Sequence, residues 1–279
     1  MKADHRATLL RRRVFSPGFF SVTFRAPELA SGVLPGQFVM LEVPDRLRPY
    51  LRRAYSVADA DPVAGEVEFL VRTIGPGTSA VEHLAEGSGA SLLGPLGNGF
   101  SLEGLDRSEP VAVVAGGIGA APFPLLFRAL TAAGFTADLY LGGRNAAELG
   151  FRERFAGIVS GETLLATDDG SLGERGFVTA AFERRAAGRS RPYTRVYACG
   201  PMPMFAALAP VVARARVPAE FSTEAAMGCG FGACLGCVIP ATEKPFVISC
   251  IEGPILAPEK IAWDALTPAL SQGERESLR

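Results

Sequence analysis

The hydrophobic pattern changes at about residue 103, and the two halves of the chain predict different kinds of structure. Before this point, short apolar stretches rich in Val and Phe are separated by Gly, Pro and Asp, a pattern typical of β-strands joined by tight turns. These stretches are VFSPGFFSVTFRAP, QFVMLEV, AYSVADA and EVEFLVRT. We therefore predict a small antiparallel barrel or sandwich over residues 1–103.

From residue 111 the pattern alternates between an apolar strand, a glycine turn and a helix. The four units are VAVVA with PFPLLFRALTAA, ADLYLGG with AAELGFRERF, TLLATDD with VTAAFERRAA, and VYACG with MPMFAALAPVVARA. Such units favour a parallel sheet covered by helices, with right-handed connections. EFSTE (220–224) is predicted as the last strand, so this α/β domain spans residues 104–222, and GPLGNGFSLEGLDRSEP (94–110) has the composition of a boundary.

A cysteine-rich region, residues 223–265, comes next, and residues 266–279 are predicted to be a polar tail. Lys and Arg number 28 against 29 Asp and Glu, and no basic block beyond LLRRRVF is present, so neither nucleic acid nor an anionic membrane is indicated as a partner. The uncharged stretch 111–127 is broken by Gly and Pro and is shorter than the roughly 20 residues that span a bilayer. Because residues 1–13 lack the apolar core of an export signal, we expect a cytoplasmic protein with reduced cysteines.

The turn AGGIGAAP (115–122) follows the first strand of the parallel region and begins its first helix. Its glycines let backbone amides approach a pyrophosphate, although Pro122 stands where the usual dinucleotide fingerprint has a third glycine, and a plain tight turn is the alternative. Aligned turns at LGGRN, TDDGSLG and ACGPMP favour the dinucleotide site, because ligands bind at the carboxyl ends of parallel strands. A buried Cys199 is alternatively a small hydrophobe. The candidate residues are Gly116, Gly117, Gly119, Cys199, Gly200, Pro201 and Met202.

Two further motifs in the first half are candidates for binding a phosphorylated ring compound. In RRAYSVAD, Arg53 offers a guanidinium for phosphate, Tyr55 an aromatic face and Ser56 a hydroxyl, whereas the alternative is an ordinary strand with a cross-strand tyrosine. In EFLVRTIGPGTSAVEHL, a strand leads into a glycine loop with Gly77 and the hydroxyl of Thr78. This loop is a second candidate phosphate cradle, with an ordinarily capped helix as the alternative.

Four of the five cysteines lie close to the end of the chain and suggest a metal centre. They are Cys229, Cys234, Cys237 and Cys250, separated by four, two and twelve residues. The first three have the spacing of the plant-type ferredoxin loop that binds a [2Fe–2S] cluster, and the glycines between them permit a tight loop with amides that point at sulfur. VIP and FVIS are predicted to form a hairpin that returns Cys250 to the others.

A structural zinc site with four thiolates is the alternative to iron and sulfide. Zinc sites typically use two CxxC units, whereas here only Cys234 and Cys237 are so spaced. The two histidines, His5 and His83, lie far from the cysteines in the sequence, which argues against a Rieske centre or a mixed zinc site. We therefore favour the iron–sulfur interpretation.

The motifs RAYS, GPGTS, GPLGNGF, AGGIGAAP and ACGPMPM, in this order, resemble the ferredoxin reductase family of flavoproteins, in which an FAD-binding barrel precedes an NAD-binding domain. The resemblance covers residues 5 to about 222. It implies that Arg53 and Ser56 hold FAD, that Tyr55 packs against the isoalloxazine and that the loop carries flavin phosphate. The remaining residues of the implied FAD site are Ala54, in place of the commoner Pro, the strand residues Leu70, Val71 and Arg72, and the loop residues Gly77 and Thr78.

The segment MGCGFGACLGCVIP, with its late fourth cysteine before EGP, closely resembles the cluster domain of electron-transfer subunits of NAD-dependent, two-subunit dihydroorotate dehydrogenases. GPLGNGF and TDDGSLGERGFVT match the same family. The resemblance implies an oxidoreductase subunit that connects NAD, through FAD and a [2Fe–2S] cluster, with an FMN-containing catalytic subunit in a heterotetramer. The implied reaction is the oxidation of dihydroorotate to orotate in pyrimidine biosynthesis, with electrons flowing towards NAD.

Two other functions remain open at the level of sequence. One is a reductase subunit of a ferredoxin:NADP oxidoreductase or hydrogenase-like complex, which uses the same modules. The other is a non-enzymatic, nucleotide-regulated interaction module in which the cysteines bind zinc. No nucleophile or histidine dyad is found, which agrees with hydride transfer that depends on alignment. No ribose-reading acid and no arginine for a 2′-phosphate stands out.

Overall fold

The computed structural model describes residues 2–42 and 51–265, so the tail predicted for 266–279 lies outside the described residues. The first part of the chain forms a seven-stranded sheet. Its strands are β1 (Ala3–Ser16), β2 (Phe19–Arg25), β3 (Phe38–Glu42), β4 (Arg53–Ser56), β5 (Asp59–Asp61), β6 (Glu66–Arg72) and β7 (Gly89–Leu96). They are antiparallel throughout, in the order β4-β3-β7-β1-β2-β6-β5. This is the antiparallel sheet that the alternating Val and Phe residues predict.

Two stretches of this sheet differ from the sequence-based prediction. Strand β1 begins at Ala3, well before the apolar stretch that starts at Val14, and β7 contains the first residues of the predicted boundary at 94–110. In β7 a Gly-Pro pair interrupts the apolar pattern and is typical of a turn, but β1 and β3 pair with β7 on either side and hold it extended.

The rest of the chain forms a second seven-stranded sheet and a small hairpin. The strands are β8 (Val111–Gly116), β9 (Ala137–Gly143), β10 (Thr163–Thr167), β11 (Glu174–Arg175), β12 (Val196–Cys199), β13 (Ala219–Ser222), β14 (Val238–Pro240), β15 (Phe246–Ile248) and β16 (Ile255–Leu256). The sheet order is β11-β10-β9-β8-β12-β13-β16, with β14 and β15 paired separately. All neighbours in the large sheet are parallel except β13 and β16. The predicted hairpin is confirmed, whereas β13 is not the last strand, because β16 from the cysteine region extends the sheet.

The helices are short. They are α1 (Pro27–Gly32), α2 (Pro76–Glu82), α3 (Phe123–Ala132), α4 (Val178–Ala187), α5 (Met202–Ala215) and α6 (Ser249–Glu252). The stretch AAELGFRERF, predicted as a helix, instead forms 3₁₀ turns over Ala146–Phe155, with Leu149 outside the helical region. The stretch contains Gly150, a poor helix former, and a Cβ there would lie 2.6 Å from Ser16 Oγ, so a larger residue would not fit where β1 approaches. Within residues 2–42 and 51–265 no helix has the length and apolar character needed to cross a bilayer.

Alternate residues of β8 point to opposite faces of the parallel sheet and form two cores. Val111 and Val113 pack with α3 and with Phe19 and Leu70 of the first sheet, so this core joins the two large domains. Ala112 and Val114 pack instead with α4 and α5. Burial on both faces explains why β8 is an uninterrupted apolar run.

The cysteine region is attached to both sheets. Its strand β16 pairs with β13 at the edge of the parallel sheet, and Asn98, which follows β7, binds the same strand. The side-chain oxygen of Asn98 accepts from Ile255 N at 2.9 Å, and its nitrogen donates to Ile255 O at 2.8 Å. Buried Cys237 and Cys250 pack against Phe38 and Met40 of β3. The region is thus held between the two larger domains.

A group of charged side chains crosses the interface between the first sheet and the α/β domain. Arg154 donates from Nε to Glu68 Oε2 at 2.9 Å and from Nη2 to Asp59 Oδ2 at 2.8 Å. Arg128 Nε also donates to Asp59 Oδ2, at 2.9 Å. The side chains of Arg154, Glu68 and Asp59 are all less than one-fifth exposed. Removing one partner from such a group leaves a buried charge without compensation.

We expect the substitution Arg154→Met to lower the free energy of unfolding by about 3 kcal/mol, because Glu68 and Asp59 would lose a desolvated partner. The matched control is Arg184→Met, which breaks an exposed pair with Glu174 and is expected to cost at most about 1 kcal/mol. Urea unfolding followed by circular dichroism measures both. Equal losses in the two variants would contradict a special role of the interface charges.

Candidate functional site

Two clefts open at the carboxyl ends of the parallel strands. The larger, of about 590 Å³, lies in front of the parallel sheet, and the smaller, of about 270 Å³, lies between this sheet and the antiparallel one. Five residues line both clefts: Arg72, Ile74, Ile118, Gly119 and Glu224. The two clefts are therefore continuous at this junction.

The larger cleft lies where the chain reverses its direction through the parallel sheet. Strands β8 and β12 are neighbours there, and β9 and β10 lie on one side while β13 lies on the other. Such a switch point is where open α/β sheets bind ligands. Gly117 has a φ of +54° and open space where a Cβ would project. A Cβ on Gly119 would lie 2.5 Å from Cys199 O, so glycine is required for the two turns to pack.

The structure brings most of the predicted dinucleotide residues together and separates two of them. Gly116, Gly117, Gly119, Gly200 and Pro201 line the larger cleft. Cys199 lines the smaller cleft instead, where it is buried and burial raises the pKa of its thiol. Met202 begins α5 and packs against the core behind the sheet, so it does not line either cleft.

Three charged residues of the larger cleft, Arg144, Glu148 and Asp168, were not among the predicted site residues, although the sequence pattern indicated the turns that contain Arg144 and Asp168. Glu148 is buried and accepts from Arg144 at Nε (2.7 Å) and at the backbone amide (3.0 Å), and Arg72 Nη2 lies 3.2 Å from it. Burial alone would raise the pKa of Glu148, but the hydrogen bonds and charges of the two arginines lower it below the ordinary value. The available signal was the position of Arg144 and Asp168 directly after the strands β9 and β10.

The smaller cleft contains most of the residues predicted to bind a flavin. Its lining includes Ala54, Tyr55, Ser56, Leu70, Val71, Arg72 and Thr78. Arg53, which precedes them on β4, is exposed, and its guanidinium donates to Leu51 O at 2.6 Å. Gly77 is buried within α2 and does not line the cleft. The hydroxyl of Thr78 accepts from the backbone amides of Ile74 and Gly75 and therefore caps α2, as the ordinary capped-helix alternative expects.

Tyr55 supplies a polar atom that the protein itself does not satisfy. The residue is 8 % exposed and its ring packs edge-to-face on Phe69 at 6.2 Å. Its hydroxyl has no hydrogen-bond partner among the described residues, and burial raises its pKa to about 12. A buried, unpaired hydroxyl is unfavourable. A ligand with polar groups in this cleft would satisfy it, which fits a flavin with its hydroxylated side chain.

Glu224 is a further residue that sequence reasoning missed. It follows β13 and lines both clefts at their junction, close enough to Cys199 for its charge to raise the pKa of that thiol. Burial raises the pKa of the Glu224 carboxyl as well. The junction of the clefts thus contains a carboxyl group that is more readily protonated than an ordinary glutamate.

The four predicted cysteine ligands come together in two pairs. The backbone amide of Cys234 donates to Cys229 Sγ, and that of Cys250 donates to Cys237 Sγ, both at 3.4 Å. As placed, no group of three or more potential ligands within the described residues encloses a metal ion. Although burial would raise it, amides of Cys234, Phe231 and Ala233 lower the pKa of the Cys229 thiol to about 6.

The chemistry of this donor set fits an iron–sulfur cluster. Four thiols from one short segment and backbone amides directed at sulfur are what such a cluster requires. The loop is also closely fitted to the first sheet, because a Cβ on Gly230, whose φ is +82°, would lie 2.4 Å from Met40 Cγ. Phe38, Ala225 and Met227 line the smaller cleft and also pack with Cys237 and Cys250. The same hydrophobic cluster therefore contributes to the lining of the smaller cleft and contains two of the cysteines.

Comparisons with known protein families match three consecutive parts of the chain. Residues 7–100 match the oxidoreductase FAD-binding domain, residues 113–209 the oxidoreductase NAD-binding domain and residues 224–262 the iron–sulfur cluster binding domain of dihydroorotate dehydrogenase B. The cofactors expected from the sequence, FAD, NAD and an iron–sulfur cluster, agree with these matches.

Similar proteins cover almost the whole chain. The dihydroorotate dehydrogenase B (NAD⁺) electron transfer subunit of Desulforamulus reducens is 35 % identical over 92 % of this chain and 98 % of its own length. That of Bacillus caldolyticus is 36 % identical over 91 % and 97 %. Among solved structures, a chain of the NADH-dependent reduced ferredoxin–NADP oxidoreductase has 27 % identity and a TM-score of 0.83, with 95 % of this chain and 93 % of that chain covered.

Proposed function

Because the chain belongs to the family of dihydroorotate dehydrogenase B electron transfer subunits, we propose that it connects NAD with an FMN-containing catalytic subunit that oxidises dihydroorotate to orotate. FAD and a [2Fe–2S] cluster lie between the two ends of this path. The protein thereby serves pyrimidine biosynthesis, in a heterotetramer of two such pairs of subunits. A cytoplasmic location agrees with its five cysteines, none of which forms a disulfide bond.

One observation carries the proposal: the two clefts and the cysteine region adjoin in the order that electron transfer requires. The larger cleft meets the smaller at Arg72, Gly119 and Glu224, and the smaller cleft is lined in part by the hydrophobic cluster that contains Cys237 and Cys250. Nicotinamides exchange two electrons as hydride, iron–sulfur clusters exchange one, and a flavin does both. The arrangement thus suits a converter between the two kinds of carrier.

Within this arrangement we assign each group of residues a role. Tyr55 and Ser56 face the isoalloxazine and its side chain in the smaller cleft, and Arg53 binds the flavin phosphates. The glycine turns at 116–119 and 200–201 hold the dinucleotide in the larger cleft. Gly119 lets the nicotinamide approach the junction, and Glu224 places its carboxyl group there. Cys229, Cys234, Cys237 and Cys250 are the cluster ligands.

The surface around the cysteines is suited to a protein partner. Exposed large apolar side chains in this region are Phe231, Leu235, Val238, Phe246 and Ile251. Apolar side chains gathered in one short segment of a surface are typical of protein interfaces. We propose that the catalytic subunit covers this face, because a cluster buried beneath it would then lie close to the partner's flavin.

A second candidate function uses the same modules with another electron acceptor. The structural similarity to a chain of the NADH-dependent reduced ferredoxin–NADP oxidoreductase favours it. The higher identity to the dihydroorotate dehydrogenase B subunits, over nearly their full length, favours the first proposal. The two differ in the partner protein that binds the cysteine face.

Purification of the tagged chain from its native cells tests the proposal. We expect bound FAD, iron and acid-labile sulfide in equal amounts, and an EPR signal after reduction with dithionite. We also expect an FMN-containing subunit with dihydroorotate-oxidising activity to co-purify. Zinc in place of iron would contradict electron transfer, and a different redox partner in the absence of that subunit would favour the second candidate.

The unpaired hydroxyl of Tyr55 predicts different effects of its removal on the stability of the flavin-free protein and on the affinity for FAD. In Tyr55→Phe, loss of a buried unsatisfied group should leave the apoprotein as stable or slightly more stable, while FAD affinity should fall about tenfold, the value of one hydrogen bond. Thermal melting of the flavin-free protein and fluorescence titration with FAD measure the two effects. A destabilised apoprotein with unchanged FAD affinity would contradict the assignment.

A further inference from the structure

The outer end of the larger cleft contains a carboxylate without a partner. Asp168, directly after β10, lines this cleft and is exposed in it. Within residues 2–42 and 51–265 its carboxylate forms no hydrogen bond or ion pair, and burial and the charges of Glu148 and Asp169 raise its pKa against the opposing charge of Arg144. The carboxylate of the next residue, Asp169, differs in that it already has hydrogen-bond donors, the backbone amide and the hydroxyl of Ser171.

The position of Asp168 along the sheet identifies the part of a dinucleotide that it would meet. The nicotinamide end belongs at the junction with the smaller cleft, next to Gly119 and Glu224. Strand β10 is two strands away from β8, which is about 10 Å at the usual strand spacing. Phe177, a ring that is 70 % exposed, lines the larger cleft and not the smaller. An exposed ring provides a face on which adenine can stack, so this is the adenosine end.

The positive charges near Asp168 are offset by a carboxylate of the protein. Arg144, on the adjacent strand end, is held by Glu148 through its Nε at 2.7 Å, and the same carboxylate engages Arg72 at 3.2 Å. The methylene groups of Arg175 pack on Gly170, and this residue does not line the cleft. Among the described charged residues at this end of the cleft, Asp168 is thus the one whose charge has no bonded counter-charge.

We propose that Asp168 selects NAD over NADP, by accepting hydrogen bonds from the ribose hydroxyls of the adenosine half and by repelling a 2′-phosphate. The inference rests on the proposed function, because it takes the larger cleft as the dinucleotide site. An acid that binds ribose hydroxyls and an arginine that binds the 2′-phosphate are the two common solutions in nucleotide-binding sheets. Here Glu148 neutralises the arginine and Asp168 supplies the acid.

The test compares Asp168→Asn with the matched control Asp169→Asn in the FAD-loaded protein. Both remove one charge from the same turn, but the control substitution keeps a side-chain oxygen to which Ser171 can donate, and Asp169 does not line the cleft. In Asp168→Asn we expect the ratio of kcat/KM for NADPH to that for NADH, measured as flavin reduction, to rise about tenfold or more, as for removal of one like charge near the phosphate. The control should retain the ratio of the unmodified protein.

Calorimetric binding of 5′-ADP and 2′,5′-ADP gives a second readout that does not depend on flavin reduction. The unmodified protein should prefer 5′-ADP, and Asp168→Asn should lose most of that preference. An unchanged preference in Asp168→Asn, with 5′-ADP still bound, would overturn the role of Asp168 and leave the proposed function standing. If the unmodified protein binds neither nucleotide and NADH does not reduce its flavin, the proposed function fails as well.

Discussion

Replacement of Cys234 by serine is expected to remove the iron–sulfur cluster while flavin reduction by NADH continues at the normal rate. Cys234 is exposed, its backbone amide donates to Cys229 Sγ, and it lines neither cleft. A serine hydroxyl is a poorer ligand than a thiolate, because iron–sulfur clusters are held by thiolates. Iron and sulfide analysis, EPR after dithionite, and stopped-flow reduction of the flavin measure the separate effects.

Cys199→Ser provides the matched control for this experiment, because Cys199 lies on β12 outside the cysteine segment. It should retain iron and the EPR signal. Electron transfer from NADH to the catalytic subunit should fall to background in Cys234→Ser; because Cys199 lines the smaller cleft, Cys199→Ser serves as a control for cluster content only. Full iron content in Cys234→Ser would show that Cys234 is not a ligand, and loss of flavin reduction would show that the cysteine segment is needed to form the flavin site.

Replacement of Arg53 by alanine is expected to weaken FAD binding by about 10- to 100-fold, the value of one charge-assisted hydrogen bond. Among the described residues Arg53 has no carboxylate partner, and its guanidinium contacts only the nearby carbonyls of Leu51 and Arg52. Arg53 does not itself line the smaller cleft, but it precedes Ala54, which does, so its guanidinium can turn to a phosphate of a ligand bound there. Equilibrium dialysis or the fluorescence of released flavin measures the affinity.

The neighbouring arginine offers a control of the same size and charge. Arg52 is already paired, with Asp4 Oδ2 at 2.8 Å and with Glu42 Oε2 at 2.9 Å. Arg52→Ala should lower stability slightly and leave FAD affinity close to that of the unmodified protein. Similar losses of FAD in both variants would indicate a general effect of positive charge and would contradict a specific phosphate contact by Arg53.

Local sequence patterns predict those parts of the fold that depend on local physics. The apolar run of β8, the glycines after it and the cysteine spacing each reflect a requirement of one segment, and the three-part architecture follows from them. The strand β7 could not be predicted in this way, because its Gly-Pro pair is typical of a turn and only the pairing with β1 and β3 makes it extended. Gly150 similarly acts through contact with distant Ser16.

The same distinction holds for the candidate site. Residues within motifs, such as Tyr55 and Gly119, are found from the sequence because their neighbours along the chain form the motif. Asp168 belongs to the turn TDDGSLG and Glu224 to the stretch EFSTE, but neither pattern singles out these side chains, and their importance comes from where the two clefts meet and end. Met202 shows the reverse case, since it belongs to the motif ACGPMP but packs behind the sheet.

The attachment of the cysteine region through β16 and Asn98 limits how this region can be transferred to another protein. If only residues 224–250 were transferred to another reductase, the transferred segment would lack β16. It could then not pair with the edge of the recipient's parallel sheet. The smallest segment that can be transferred therefore extends to β16. The recipient must have an unpaired edge strand in the position of β13 and an asparagine in the position of Asn98. A fusion that appends this region to a flavoprotein without such an edge strand is expected to leave β16 unpaired.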